Sequence, residues 1–337
     1  VTRYSRQELF RGIGPEGQKA IRGSRVLVVG AGALGSLLAE TMTRAGVGEL
    51  CLVDRDFVEE SNLQRQSLYT EADAAAALPK AKAAEAHLRQ INSEVAVRGI
   101  VADLNPDNAR ELLGGADLVL DGTDNFETRF LLNDLCLEAQ RPWIYGACVG
   151  SYGLSLLVRP GVSPCLRCVL EEMPVPGTSP TCDQAGVVAP IVQVIAGIQG
   201  AEALKVLSGR TESLLPGIVS VDLWEGSFDC MDLRGQKPWC PACTEGRYDY
   251  LRGGTRAAVL CGRDAVQILS PPGTSLDLPA LAARLSGLGR VILANDYLLR
   301  FSGSDGELVV FSDGRTLVKG VSDISAARVL YSKYVGH

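Results

Sequence analysis

The chain has 337 residues, 46% hydrophobic and 21% charged, which is enough for one large domain and a small one with a core of ordinary size. A net charge of -6 lacks the basic footprint of a protein whose main ligand is nucleic acid, and two histidines, His87 and His337, nearly exclude a Ser-His-Asp mechanism. The polar start Arg3-Tyr4-Ser5-Arg6-Gln7 does not read as a signal peptide, and no run of about 18 apolar residues appears, so a cytoplasmic protein off the membrane is expected.

In chain order, residues 4–22 read as a helix ahead of the first strand. The apolar run 25–29 suits a buried parallel strand, and Gly30 to Gly35 turn into a helix over 34–45. A strand at 49–53 ends in Asp54, and residues 79–91 are helical. Strands at 95–100 and 117–121 flank a helix at 106–113. This alternation predicts an α/β fold, a doubly wound, mostly parallel sheet covered by helices on both faces. After residue 140 the pattern changes to strands at 143–147 and 153–158 and a Pro/Gly-rich loop from Met173 to Gly186. A long apolar helix at 187–208 and strands at 217–223 and 227–233 follow. Residues 1–248 are expected to form the main domain. After a linker, residues 255–337 should form a small α+β domain with helices near 276–286 and 322–335 and a hairpin at Asp313-Gly314.

Three constellations carry chemistry. Gly30-Ala31-Gly32-Ala33-Leu34-Gly35 joins a strand to a helix, where glycines let the backbone approach a phosphate and the helix start offers free N–H groups. Asp54, about 20 residues on, stands where an acid bonds ribose. Together they point to an adenine nucleotide without saying which. The second constellation is Ser61-Asn62-Leu63-Gln64-Arg65-Gln66, Pro79-Lys80 and Asp121-Gly122-Thr123-Asp124-Asn125. Ligands of parallel sheets bind outside the carboxyl ends of the strands, so these loops should converge on the turn. Two cations, a carboxylate and an amide beside a phosphate fit a reaction that expels pyrophosphate better than hydride transfer. Asp124 suits Mg²⁺, which usually takes one or two carboxylates plus substrate phosphates. The third constellation is Cys165-x-x-Cys168 with Cys240-x-x-Cys243, read as a closed four-thiolate zinc site that staples the domain. Cys51, Cys136, Cys148, Cys230 and Cys261 read as packing residues. Trp143, Trp224 and Trp239 read as core or interface.

The run at 3–7, the turn at 30–35, Ser61 to Gln66, Pro79-Lys80 and Thr123-Asp124-Asn125 resemble the ThiF/MoeB/HesA family, bacterial relatives of the ubiquitin-activating enzymes, over about residues 3–245. The resemblance implies a Rossmann-like fold and an ATP- and Mg²⁺-dependent adenylyltransferase. Its substrate would be the terminal glycine carboxylate of a ubiquitin-like sulfur-carrier protein. Carried onto this chain, it gives Gly30, Gly32, Ala33 and Gly35 the nucleotide turn and Asp54 the ribose. Ser61, Asn62, Gln64, Arg65 and Lys80 would line the phosphates. Asp124 and Asn125 would serve the metal or the attacking carboxylate. Arg6 would reach into a partner subunit's site, which implies a homodimer. Ala33 stands where many members have glycine. Cys182 matches a cysteine that in some members forms a covalent sulfur link to the carrier and in others is dispensable, so both roles stay open. The tail and Gly146 to Gly153 look like thiazole-biosynthesis adenylyltransferases, which points to thiamine biosynthesis, with a sulfurtransferase or cysteine desulfurase as a further partner. The alternatives are a molybdopterin-synthase carrier as substrate and, in a different class, an NAD-binding oxidoreductase.

Overall fold

The computed structural model describes residues 3–174, 185–236, 239–252, 265–270, 274–321 and 323–336, and the backbone of 257–260. They fall into two compact units, each with its own sheet.

The larger unit begins with α1 (Ser5–Leu9) and α2 (Gly14–Arg22) rather than the single helix expected over 4–22. Gly14 takes a left-handed φ of +67° and Pro15 opens α2, so the chain must turn between the two. Its sheet has the order β3-β2-β1-β4-β5-β6-β7-β8. The strands are β1 (Arg25–Val29), β2 (Glu49–Asp54), β3 (Ala96–Val101), β4 (Leu118–Asp121), β5 (Trp143–Val149), β6 (Tyr152–Val158), β7 (Gly217–Asp222) and β8 (Ser227–Asp232). From β3 to β5 the pairing is parallel; β6, β7 and β8 extend the sheet antiparallel. The apolar runs of β1 and β4 are buried on both faces, as crossover helices require.

Those helices are α3 (Ala33–Ala45), α4 (Glu71–Ala75), α5 (Lys80–Ile91), α6 (Ala109–Leu113), α7 (Phe126–Glu138), the short α8 (Leu166–Val169) and α9 (Ala189–Leu207). The sequence pattern does not announce α7, because its apolar residues run all round and give no single stripe; it is buried from Arg129 to Leu137. By length and composition α9 could cross a membrane. Here Ile191, Val192, Ile195, Ala196 and Ala203 sit in the same core cluster as Leu38 and Met42 of α3. Trp143, Cys136 and Cys148 are buried as expected. Cys230 is not a packing residue: β8 is the last strand of its sheet, and all its side chains are exposed. Trp224 and Trp239 are exposed too, and Cys261 lies outside the described residues.

The second unit is an antiparallel sheet, β11-β12-β13-β14-β10-β9, built from β9 (Ala257–Leu260), β10 (Ala265–Ile268), β11 (Arg290–Ala294), β12 (Leu298–Gly303), β13 (Gly306–Phe311) and β14 (Thr316–Lys319). Alternate residues Leu299, Phe301, Leu308, Val310 and Val318 pack with Leu281 and Leu285 of α10 (Leu278–Leu285) and with Ala327 and Leu330 of α11 (Ile324–Tyr334). Both helices start on aspartate caps, Asp277 and Asp323. Asp313-Gly314 makes the turn between β13 and β14, with Gly314 at φ +82°.

In the crossover from β2 to β3, the Asp73 carboxylate accepts hydrogen bonds from the backbone and hydroxyl of Thr70, each 2.7 Å, and lies 2.9 Å from His87 Nε2. Burial pushes the Asp73 carboxyl up, but the bonds from Thr70 and His87 outweigh it and leave its pKa below the ordinary value. A carboxyl whose folded pKa is depressed stabilises the fold fully above the ordinary carboxylate value, and that contribution is lost as pH falls through the lowered one. Asp73→Asn should therefore lower stability by about 1 kcal/mol at neutral pH, with the gap from the unsubstituted protein closing as pH falls below the ordinary carboxylate range in thermal melts.

Candidate functional site

The carboxyl ends of β1, β2 and β4 lie side by side, and the loops that leave them meet. At their centre three glycines touch. Gly30 holds φ +87°; a side-chain carbon on it would come 2.7 Å from the carbonyl of Gly122. A side-chain carbon on Gly35 would overlap the Gly30 carbonyl oxygen, and one on Gly122 would sit 2.6 Å from both Gly30 O and Gly35 Cα. These glycines let strand ends and helix start close on one another. Gly32, the N-cap of α3, differs: nothing lies within 3.8 Å of where its side chain would be, and its φ of -75° suits any residue. Only the Gly122 carbonyl oxygen, at 3.8 Å, and Gln66 Nε2, at 4.0 Å, come near that point, which lies at the start of α3 next to Ala33.

Asp54 closes the turn from the other side. Its carboxylate accepts the backbone N–H of Ala31 and of Asp56, both at 2.6 Å. Burial raises the Asp54 carboxyl pKa, and the Lys80 ammonium pulls it back. Lys80 is itself buried, with Nζ 3.7 Å from Asp56 Oδ2 and its backbone N–H on the Asp56 carbonyl. Tyr69 completes this layer: its hydroxyl donates to the Ala31 carbonyl at 2.7 Å. Burial holds the Tyr69 phenol well above its ordinary pKa, so the proton stays on to donate.

The Ser61–Gln66 loop starts on a single helical turn, Glu60–Asn62. Buried Asn62 accepts the Glu59 backbone N–H at 3.2 Å, and Arg65 Nη1 donates to the Ser61 carbonyl at 3.0 Å. Arg65 makes no ion pair among the described residues. Ser61 and Gln64 are exposed, whereas Gln66 is buried with its Nε2 beside Gly32. On the third loop, Asp124 is exposed, and Asn125 caps α7 by accepting the Thr128 N–H at 2.8 Å. Beneath them lies a buried pair. Asp121 accepts Arg129 Nε at 3.3 Å and the Thr123 backbone and hydroxyl at 2.8 and 2.7 Å. Arg129 also donates to the carbonyls of Thr123 and Gly146, and Gln199 of α9 donates to the Asp121 carbonyl. Burial raises the Asp121 carboxyl pKa against the pull of Arg129.

The structure thus joins the glycine turn to Asp54 by a hydrogen bond and sets Lys80 against Asp56, whose backbone N–H the Asp54 carboxylate accepts. Arg6 is placed elsewhere: Tyr4 packs over Gly46 and Gln7 bonds the Ala45 carbonyl, so α1 sits at the far end of α3, about 20 Å along the helix from the turn. Cys182 lies outside the described residues. Sequence reasoning missed Gly122 as a partner of the turn, and also Gln66, Tyr69 and the Asp121–Arg129 pair. Gln66 stands inside a motif already in view; Tyr69 and Arg129 carry no signal until the chain is folded.

Away from this site the four thiols Cys165, Cys168, Cys240 and Cys243 lie within 4.8 Å of one another. Their sulfurs are 3.8 Å apart for Cys165–Cys240 and Cys165–Cys168 and 3.6 Å for Cys168–Cys243. A tetrahedron with metal–sulfur bonds of about 2.3 Å has edges of about 3.8 Å, so the donor set fits zinc. Hydrogen bonds from Cys165 and Cys243 hold the Cys168 thiol well below the ordinary thiol pKa, while those with Cys168 and Cys243 push Cys165 up. Without a cation the four sulfurs cannot all ionise together. Arg167, between the first two cysteines, ties the cluster to α7 through Asp134 at 3.7 Å and to the later chain through Asp249 at 3.3 Å.

The fold is that of Escherichia coli MccB. The crystal structure of MccB with ATP matches with a TM-score of 0.61 and 23% identity over 72% of this chain and 73% of that one. PaaA gives a TM-score of 0.56 at 24% identity over 69% and 73%. The ThiF family profile matches residues 4–242, and the chain belongs to the ThiF family. Its relatives include the sulfur carrier protein ThiS adenylyltransferase of Bacillus subtilis, 46% identical over 99% of both chains. The SAMP-activating enzyme E1 of Haloferax volcanii is 40% identical over 74% of this chain and 91% of its own.

The glycines differ in what a side chain would meet. Gly122→Ala forces backbone apart and should destabilise the protein by about 2 kcal/mol or more, whereas Gly32→Ala should cost under about 1 kcal/mol. Nucleotide affinity of the well-folded Gly32→Ala protein, read by calorimetry, should nonetheless fall; unchanged affinity would remove the phosphate from that space.

Proposed function

We propose that this protein uses ATP to adenylylate the C-terminal glycine carboxylate of a ubiquitin-like sulfur-carrier protein, the carrier of thiazole formation in thiamine biosynthesis. The observation that carries the reading is the near full-length similarity to the ThiS adenylyltransferase of Bacillus subtilis, joined to a glycine turn with a buried lysine at its side. The match to the SAMP-activating enzyme E1 of Haloferax volcanii, by contrast, covers 74% of this chain.

In this reading the triphosphate lies along the start of α3 with its ribose toward Asp54. A carrier carboxylate oxygen attacks the α-phosphorus, the bond to the β-phosphate oxygen breaks, and its electrons leave with pyrophosphate. Charge grows on the leaving group, and Lys80 and Arg65 would stabilise it. Lys80 is held from below by Asp56, so its position does not have to be organised during the reaction. Asp124 stands at the edge of the turn with one carboxylate, the kind of ligand magnesium usually takes beside substrate phosphates, and would hold that ion, which supplies further charge neutralisation. The Asp121–Arg129 pair fixes the backbone that presents Asp124. Because α1 lies at the far end of α3, Arg6 would serve the site of a second copy, and the working unit would be a homodimer. The four-cysteine cluster would hold a structural zinc, at home in the reducing cytoplasm. Cys182 remains a candidate for sulfur transfer.

Pyrophosphate exchange into ATP should depend on a purified thiazole-pathway carrier with its terminal glycine; preference for the molybdopterin carrier would overturn the choice of pathway. Arg65→Ala should slow exchange by a factor of about a hundred or more with no change in melting, and an unaltered rate would take Arg65 out of the mechanism. Metal analysis should find a single zinc per chain, and Cys240→Ser should lose both the metal and several degrees of thermal stability.

A further inference from the structure

Tyr4 is buried at the N-cap of α1, and the ends of α2, α3 and α5 close on it. Its ring lies against Gly46, the left-handed residue that ends α3, where a side-chain carbon would come 2.4 Å from the ring. Its hydroxyl accepts a hydrogen bond from Asn92 Nδ2 at 2.9 Å and donates to Glu94 Oε2 at 3.2 Å. Asn92, the cap at the end of α5, is fully buried and is itself fixed, donating to the Thr43 carbonyl at 2.8 Å. The Arg22 guanidinium at the end of α2 stands 5.6 Å from the ring centre and 3.6 Å from Glu94. By contrast α1 has little of its own to hold it. It is five residues long with none of them buried, and so short a helix does not persist by itself. Its other tie is Gln7, which donates to the Ala45 carbonyl at 3.1 Å. Arg6 therefore stands between two fixed neighbours with its own side chain exposed.

The segment thus holds an exposed guanidinium in a defined place, at the end of α3 farthest from this chain's own glycine turn. A cation that meets a substrate across a subunit boundary contributes in proportion to how well it is held beforehand, because ordering a free arm costs part of the interaction. We propose that Tyr4 is a positioning residue: by locking the N-terminal segment onto Gly46 and Asn92 it sets Arg6 where the site of a second copy meets it. The assignment rests on the homodimer of the proposed function and adds to it a residue that acts through Arg6 and touches no nucleotide. An anchor that served only the fold would be felt in the chain that carries it. Tyr4 is instead felt in the partner's site, which gives the two roles opposite signatures in a mixed dimer.

Tyr4→Ala frees the segment, and Tyr4→Phe keeps the ring on Gly46 while taking the hydroxyl from Asn92 and Glu94. Each is read by kcat and KM for ATP in carrier-dependent pyrophosphate exchange and by the melting temperature. The Tyr4→Ala homodimer is expected to lose about tenfold or more in kcat with KM for ATP within about twofold. Tyr4→Phe should lose about threefold in kcat. The deciding protein is a heterodimer, isolated through two different tags, of a Tyr4→Ala chain with an Arg65→Ala chain. The second chain's own site is slowed about a hundredfold, but its N-terminal segment is intact. The Tyr4→Ala site then faces a well-held Arg6, and exchange should return to about half that of the unsubstituted dimer, one working site in two. Full kcat in the Tyr4→Ala homodimer, or a loss that the heterodimer does not restore, overturns the assignment and leaves the adenylylation reading standing. If the Tyr4→Ala chain fails to fold, Tyr4→Phe takes its place in both proteins and is judged by the same two outcomes. A parallel heterodimer of Arg6→Ala with Arg65→Ala tests the reading beneath. If no heterodimer forms, or exchange is not restored there, Arg6 does not act across copies, and the homodimer and the assignment fall together.

Discussion

The contact among Gly30, Gly35 and Gly122 is the constraint on which the rest depends. It joins the ends of two neighbouring strands to the start of α3 with no side chain between them. Because backbone meets backbone, the approach cannot be relaxed by a rotamer change. The amide of Ala31 is then drawn out of the turn and toward β2, where Asp54 accepts it. From that one bond the next follow: Asp54 takes Asp56, Asp56 takes Lys80, and Tyr69 fastens the Ala31 carbonyl. A carboxylate and an ammonium are thereby buried within a few ångströms of one another. Neither would be tolerated there alone.

A second polar network runs under the other half of the site. Asp121, Arg129 and Gln199 join β4, α7, β5 and α9 through bonds to main-chain carbonyls as well as to each other. Further along α7, Asn133 accepts the Leu166 N–H at 2.9 Å and Asp134 accepts that of Tyr250 at 3.0 Å. One helix therefore carries the cap beside Asp124 at its start and the anchor of the four-cysteine cluster along its buried middle. The cluster and the site share a support, which accounts for a staple so far along the chain from the glycine turn.

Much of this is legible in the amino-acid order. The parallel strands, their alternation with helices and the four-cysteine set follow from apolar runs, glycine placement and spacing, all of them local signals. The family resemblance lies in ordered motifs, and the match over residues 4–242 agrees with it. The first helix divides in two where one is expected, because Gly14 and Pro15 outweigh the surrounding helix formers. Cys230 is exposed where packing is expected, because a short strand of mixed polar and apolar residues gives no sign of lying at the sheet's edge.

The sequence by itself determined which groups were present: glycines between a strand and a helix, cations and a carboxylate on loops after strands, thiols in two Cys-x-x-Cys pairs. These are properties of residue type and near spacing. Only the tertiary structure decided what each group faces. It divided the glycines, closing backbone on Gly30, Gly35 and Gly122 and leaving Gly32 with only ordinary contacts. It buried Lys80 against Asp56, set Arg6 at the far end of α3 and left the Gln66 carboxamide without a partner beside the turn. Burial and long-range contact are made by chain segments far apart in sequence, and no local pattern encodes them.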